Sequence, residues 1–219
     1  MPLPYTTVLF DLDGTIVDSA PGITATLAYT FEQLSLPVPT PAELLAWVGP
    51  PILDSFRDLA GFDAELSQRA LEIYRQKYLA VGVYDAALYP GVAEVLHAIH
   101  AAGISLSLAT SKPETPARAV LTHFGLLGPF DELTGASDDE VRSAKRDVVE
   151  EALRRLEAGG ADLSSTVLVG DRHHDVEGAA HHGVPTIFVT WGYGSRAEAA
   201  GAIAIAENAA ELKALLGLH

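Results

Sequence analysis

Asp11-Leu12-Asp13-Gly14-Thr15 sets two carboxylates one residue apart, directly after the apolar run at 7–10. Residues i and i+2 of an extended segment point the same way, so both acids can serve one site. Carboxylates this close repel each other unless a cation joins them or one of them carries a proton. Gly14 permits positive φ or close backbone approach, and Thr15 adds a hydroxyl. The alternative is an acidic turn closing an edge strand with both carboxylates solvated.

Three further polar clusters stand where an apolar run gives way to a helical pattern. Thr110-Ser111-Lys112-Pro113 follows the run at 104–109. Hydroxyls and free amides at such a turn hold phosphate oxygens, or else Thr110 or Ser111 merely caps the helix. Lys145, in Arg142-Ser143-Ala144-Lys145-Arg146-Asp147, opens a helix. A cation there opposes the helix dipole and points to a nearby anion, with Arg142 and Arg146 competing for the role. In Val169-Gly170-Asp171-Arg172-His173-His174-Asp175, Asp171 ends a strand and Asp175 follows four residues on. These carboxylates either join Asp11 around a hard divalent ion such as Mg²⁺ or cap a helix. His173, His174, His181 and His182 make a poor transition-metal set, because adjacent imidazoles do not chelate one ion and the pairs fall at opposite ends of a short helix. His173 and His174 are expected at the rim instead.

Strand-like runs at 7–10, 104–109, 166–169 and 186–189, with a weaker one at 130–134, alternate with helical patterns at 90–101, 115–124, 145–156 and 175–182, and 208–216 closes the chain. That alternation predicts an α/β fold with a parallel sheet flanked by helices, whose catalytic crevice lies at the carboxyl ends of the strands. Between about residues 19 and 87 the alternation stops, and helical stretches at 22–34, 41–47, 51–59 and 64–78 follow one another. This predicts a core of 1–17 and 88–219 carrying an inserted helical domain of 18–87 over the strand ends, with joints near 17–21 and 83–89. Pro37, Pro39, Pro41, Pro50 and Pro51 punctuate the insertion, several at helix starts.

A chain of 219 residues with 48% hydrophobic and 20% charged residues has the composition of a folded protein. Lys and Arg number 14 against 29 Asp and Glu, a formal charge of −15, which argues against nucleic acid polymers and anionic membranes as partners. Without cysteine there are no disulfides, thiolate metal sites or cysteine nucleophiles. No apolar run approaches a membrane span and Met1-Pro2-Leu3-Pro4-Tyr5 is not a leader, so a cytoplasmic location is expected.

In motif order and strand context, D-L-D-G-T, Thr110, Lys145 and G-D-R-H-H-D resemble the haloacid dehalogenase superfamily over nearly the whole chain. D-L-D-G-T-I-V-D-S, the helical insertion, W-V-G-P-P and A-T-S-K-P resemble its phosphoglycolate phosphatase branch, and 169–172 through Trp191-Gly192-Tyr193-Gly194-Ser195 is similar to 5′-nucleotidase-like members. Phosphoglycolate phosphatases usually place proline after the third-motif lysine, whereas Arg146 stands here, which leans toward the nucleotidase-like subgroup.

The resemblance implies a Rossmann-like core with a helical cap, and a Mg²⁺-dependent phosphatase acting on a small phosphate monoester, a 5′-nucleotide or 2-phosphoglycolate, as monomer or homodimer. It makes Asp11 the nucleophile that becomes an aspartyl-phosphate and Asp13 the acid and base. Dehalogenating relatives lack the second Asp. It implies Mg²⁺ on Asp11, the Asp13 carbonyl, Asp171 and Asp175, with Lys145 and Thr110 on phosphate oxygens and the amides of Leu12, Gly14 and Ser111 assisting. Arg57, Arg69, Arg75 and Lys77 are the cap's cations, of which Arg57 is the candidate substrate contact. Trp47, Phe56 and Tyr84 either stack on a base or form cap core. A phosphomutase is the near alternative. A receiver-like phospho-aspartate switch is the more distant one, disfavoured by the D-x-D spacing and the insertion.

Overall fold

The computed structural model describes residues 4–139 and 141–218; the start of the chain at Met1-Pro2-Leu3 lies outside the described residues. In chain order the strand β1 (Thr7–Phe10) is followed by β2 (Val17–Asp18) and the helices α1 (Ala20–Gln33), α2 (Pro41–Leu45), α3 (Ile52–Asp58) and α4 (Ala64–Ala80). The chain then runs through β3 (Ala87–Leu88), α5 (Val92–Ala101), β4 (Ser105–Pro113), α6 (Glu114–His123), β5 (Glu132–Ala136) and α7 (Lys145–Ala158). It closes with β6 (Thr166–Gly170), α8 (His173–Ala180), β7 (Thr186–Val189), β8 (Ala204–Ala206) and α9 (Ala209–Leu215).

Six strands form one parallel sheet in the order β5-β4-β1-β6-β7-β8. β1 is central because Thr7–Phe10 is buried on both faces, as a parallel strand between helical layers must be. Val8, Phe10, Val167 and Val169 pack in one cluster with residues of α5, α6 and α9. Leu9 and Leu168, alternating with them, pack on the other face against Val148, Val149 and Ala152 of α7 and Ala179 of α8. Phe10 is in register with Leu108 on one side and Val169 on the other, so Asp11, Thr110 and Asp171 lie toward the same end of the sheet.

Between β2 and β3 the chain is helical. Local signals account for it: Thr40 and Glu43 form a capping box ahead of α2 with Pro41 at its first turn, and Asp63 accepts from the Leu66 amide at the start of α4. Phe56 is fully buried at the centre of an aromatic cluster, its ring 5.3 Å from Trp47 and 5.7 Å from Phe62, with Phe31 against all three. The segments entering and leaving this block pair as a two-stranded antiparallel ribbon, Val17 with Leu88 and Asp18 with Ala87.

Two features depart from expectation. The second long strand continues to Pro113 rather than ending at 109, held by pairing of Thr110 with Gly135 and Pro113 with Ala136 across a register shift. β8 has no strand signal, since Ala204–Ala206 sits in an alanine-rich stretch; parallel pairing with Phe188 makes it a strand. Among the described residues no helix is long and apolar enough to cross a membrane. Phe56→Ala is expected to cost about 3–5 kcal/mol in urea unfolding; a loss under about 1 kcal/mol would show the aromatic cluster to be loosely packed.

Candidate active site

Asp11 donates its amide to the Val169 carbonyl at 2.9 Å, so it leaves the sheet locked to β6. The chain then turns sharply: the Leu12 carbonyl accepts from Ile16 and Val17, and the Gly14 amide donates to the Val17 carbonyl at 2.8 Å. Gly14 takes φ 85°, and a Cβ there would lie 2.3 Å from an Asp171 oxygen. Only glycine lets this turn approach the neighbouring carboxylate. Gly170 serves Asp175 in the same way, because a Cβ on it would lie 2.3 Å from the Asp175 carboxyl carbon.

The turn and β6 gather Asp11, Asp171 and Asp175, all buried, with one carboxylate oxygen from each within 4.8 Å of the others. Lys145, buried at the first turn of α7, reaches them. Its Nζ donates to Asp11 Oδ1 at 2.6 Å and to the Ala109 carbonyl at 2.9 Å. It also lies 2.7 Å from Asp175 Oδ1, an ion-pair contact without hydrogen-bond alignment. Asp175 Oδ2 accepts from the amides of Asp171 and Arg172, and Asp171 accepts from Thr15 Oγ1 at 3.1 Å and the Tyr193 amide at 2.7 Å.

Three ionised carboxylates against one ammonium leave two negative charges in a buried pocket. The strain shows in the titration of its members. Burial, then Asp175 and Asp11, push Asp171 up to about 8. Burial raises Asp11 to about 6, Asp175 and Asp13 adding to it while Lys145 works the other way. Burial also works against the Lys145 charge, but Asp11 and Asp175 outweigh it and raise its pKa. A buried group of oxygen donors with two surplus negative charges fits a hard divalent cation, which takes carboxylate ligands and keeps waters of its own.

Asp13 stands apart from this group. Lys112 Nζ grips both of its oxygens, at 2.9 and 2.7 Å, and Ser19 Oγ donates to Oδ1 at 2.6 Å. The Tyr193 hydroxyl accepts from the Ser19 and Ala20 amides at 2.7 and 2.9 Å and donates to Asp18 Oδ1, while Trp191 Nε1 donates to the Thr15 carbonyl. The loop after β7 therefore ties Asp171 to the start of the helical block.

The structure brings Asp11, Asp13, Thr110, Ser111, Lys145, Asp171 and Asp175 to one end of the sheet. Thr110 is buried, its Oγ1 accepting from the Lys112 amide at 3.3 Å, and Ser111 is nearly buried beside it. Lys145 rather than its neighbours faces Asp11, since Arg142 pairs with Glu114 and the exposed Arg146 with Asp147. The Gly14 amide, expected among the phosphate donors, is consumed by the Val17 carbonyl. Arg57 does not come to the site: it is half-exposed on α3 and ion-paired with Asp54 one turn earlier. Of the other cap cations, Lys77 lies over the Tyr29 ring at 4.9 Å, and Arg75 lines the cavity described below. Phe56 is block core, and Tyr84 is exposed, its ring edge-on to His123. His173 contacts Glu198 and His182 the Arg146 carbonyl, so the histidines do not converge.

Lys112, Ser19 and Tyr193 stand at the site without having been assigned a role from sequence. Lys112 had a signal: it lies two residues past Thr110 in a segment that stays extended, beside a pair of acids in need of cations. Ser19 and Tyr193 stand in motifs that carry the resemblance, but their partners were not legible, being set by the ribbon and by a loop 174 residues away.

The description haloacid dehalogenase-like hydrolase matches residues 8–189. The chain belongs to that family. It is 41% identical over 187 residues, 85% of its length, to the tyrosine-protein kinase PtkA of Mycobacterium tuberculosis, and spans 62% of that relative. It is 34% identical over 196 residues to a 5′-nucleotidase of Pseudomonas aeruginosa, covering 90% of this chain and 87% of that one. The crystal structure of a predicted phosphatase from Clostridium acetobutylicum superposes with a TM-score of 0.89 at 37% identity, covering 98% of this chain and 99% of that one.

The carboxylate cluster gives a pH test. Above about pH 4 the metal-free folded state keeps protons that the unfolded chain has lost, on Asp11 up to about pH 6 and on Asp171 up to about pH 8, so stability contributed by these groups falls as pH rises through that range. The rise in Tm on adding a divalent cation is therefore expected to be larger at about pH 8.5 than at about pH 6, by scanning calorimetry. An equal rise at both would contradict the cluster's proton load. Lys145→Ala, which leaves the three carboxylates unopposed, is expected to cost about 3 kcal/mol or more in the metal-free protein at alkaline pH. If urea unfolding shows less than about 1 kcal/mol, the buried ammonium is not what holds the carboxylates together.

Proposed function

We propose that the protein is a Mg²⁺-dependent phosphatase that hydrolyses a small phosphate monoester, of the 5′-nucleotide or 2-phosphoglycolate class, through an aspartyl-phosphate on Asp11. The observation that carries this is the division between two aspartates one residue apart. Asp11 sits in the cation-seeking cluster with Lys145, whereas Asp13 faces away from it into the arms of Lys112 and Ser19. One is placed to attack phosphorus and the other to move a proton at the leaving oxygen. Family membership and the 5′-nucleotidase and phosphatase relatives support the same reading.

Asp11 attacks the phosphoryl group as the bond from phosphorus to the leaving oxygen breaks, and Asp13 gives that oxygen a proton. Water then attacks the aspartyl-phosphate, Asp13 takes its proton back, and phosphate leaves with Asp11 regenerated. Before this, Lys112 releases Asp13 as the ammonium turns to the entering phosphate dianion, and the freed carboxylate takes up a proton from solvent. Lys145 and Thr110 hold phosphoryl oxygens with the amides of Leu12 and Ser111. Mg²⁺ held by Asp11, Asp171, Asp175 and the Asp13 carbonyl would neutralise the charge gathered between carboxylate and phosphate. Residues 18–87 act as a cap that excludes water during the first step. Arg172, whose Nη1 donates to the Val48 carbonyl at 2.9 Å, supports the closed position.

The substrate in this reading is a small cytoplasmic metabolite, handled by a monomer or homodimer; the charge of −15 speaks against a polyanionic partner, and the lack of cysteine fits a reducing compartment. The name of the 41% identical relative favours a second reading, in which the same aspartyl-phosphate passes its phosphoryl group to an acceptor hydroxyl instead of water.

Phosphate release from a panel of nucleotides, 2-phosphoglycolate and sugar phosphates tests both. Turnover with Mg²⁺ is expected, lost with chelator, and reduced about 10⁴-fold or more in Asp11→Asn and about 10²- to 10⁴-fold in Asp13→Asn. Near-normal rates in either variant would overturn the assignment. Consumption of the donor without free phosphate would select the acceptor reading.

A further inference from the structure

A cavity of about 280 Å³ opens beside Asp13, between the helical block and the loop after Thr110. Asp13, Ser111 and Lys112 line it on the side of the core, and Ile23, Trp47, Ile52, Leu71, Tyr74 and Tyr78 on the side of the helical block. The volume approaches the lower end of pockets for drug-sized ligands, about 300–1,000 Å³, and a two-carbon leaving group such as glycolate would leave most of it empty. The walls are mainly apolar and aromatic, which disfavours a small carboxylate and favours a planar ring. Trp47 is closely packed there, its ring edge-on to Phe31 at 5.8 Å and to Phe56 at 5.3 Å.

One polar group among these residues lacks a hydrogen-bond partner among the described residues. Tyr78 is buried beneath Lys112, whose Nζ lies 4.8 Å from the centre of its ring, and its hydroxyl has no hydrogen-bond partner among the described residues. A buried hydroxyl left unsatisfied costs stability, and a ligand accounts for such a group when it supplies the partner as Lys112, which lies over the ring, turns to the phosphate.

Resting on the phosphatase reading above, we infer that this cavity takes the leaving group of the substrate, that this group carries a planar, mainly apolar ring, and that the Tyr78 hydroxyl donates to an acceptor on it. A nucleoside and an aryl alcohol share that chemistry. 2-Phosphoglycolate lacks it and is displaced as the preferred substrate. Arg75 of the helical block and Asp138 of the core add charged groups to its lining.

The test compares kcat/KM for nucleoside 5′-monophosphates, phenyl phosphate, ribose 5-phosphate and 2-phosphoglycolate with Mg²⁺. A preference of about tenfold or more for the ring-bearing substrates over the other two is expected; nucleotides ahead of phenyl phosphate would identify a nucleoside, and the reverse an aryl alcohol. The ratio of nucleotide to ribose 5-phosphate is expected to fall about tenfold in Ile52→Asp and to fall, by less, in Tyr78→Phe. Because it is a ratio, partial loss of folded protein does not move it. Equal or reversed preference would overturn the cavity assignment while leaving the phosphatase reading standing, and an unmoved ratio in Tyr78→Phe would overturn the role of the hydroxyl. If no substrate is hydrolysed, the phosphatase reading fails instead. The cavity is then judged by binding: a Tm rise with adenosine but not ribose, lost in Ile52→Asp, supports it, and no rise overturns it.

Discussion

Buried charge is the constraint on which this structure turns. Asp11, Asp171 and Asp175 come from two adjacent parallel strands and a helix start, and nothing in apolar packing favours bringing them within 4.8 Å of one another. The arrangement persists because the sheet over-determines it. Asp11 is tied by its amide to Val169, Asp171 by Thr15 and Tyr193, Asp175 by two amides, and Lys145 is threaded between α7 and the ends of β1 and β4. A cluster with a surplus of negative charge held this rigidly is preorganised for a cation and for an anion bridged by it.

The remaining features follow from how that cluster is served. Gly14 and Gly170 are glycines because the carboxylates occupy the space a side chain would need. Asp13, one residue from the cluster, is drawn out of it by Lys112 and Ser19, so a single turn presents two carboxylates in different surroundings. Tyr193 connects the two regions, its amide on Asp171 and its hydroxyl at the start of α1. The helical block is thus fastened to the same loop that orients a candidate metal ligand, and the cavity beneath it opens at Asp13.

Much of this was legible in the chain. Strands such as Thr7–Phe10 and Thr166–Gly170 are short apolar runs ending in chemistry-bearing residues, and the period of the pattern changes where the helical block begins. Asp11, Asp171 and Lys145 stood out because each breaks a local preference: acids crowded at a strand end, a cation at a helix start. What escaped was decided by long-range pairing. Ala204–Ala206 is a strand only because Phe188 offers it an edge, and the Gly14 amide is lost to Val17 through a turn with no residue-level signature. Arg57 suited an anion by type, but α3 points it at Asp54 and solvent, while Lys112 pairs with Asp13.

The central claim is that carboxylates from β1 and the β6–α8 turn jointly hold a divalent cation. Anomalous scattering from crystals soaked in Mn²⁺ tests it most directly. The account predicts a strong peak bounded by Asp11, Asp171 and Asp175; a peak bound elsewhere, or none there at saturating Mn²⁺ with the three carboxylates ordered, would contradict it.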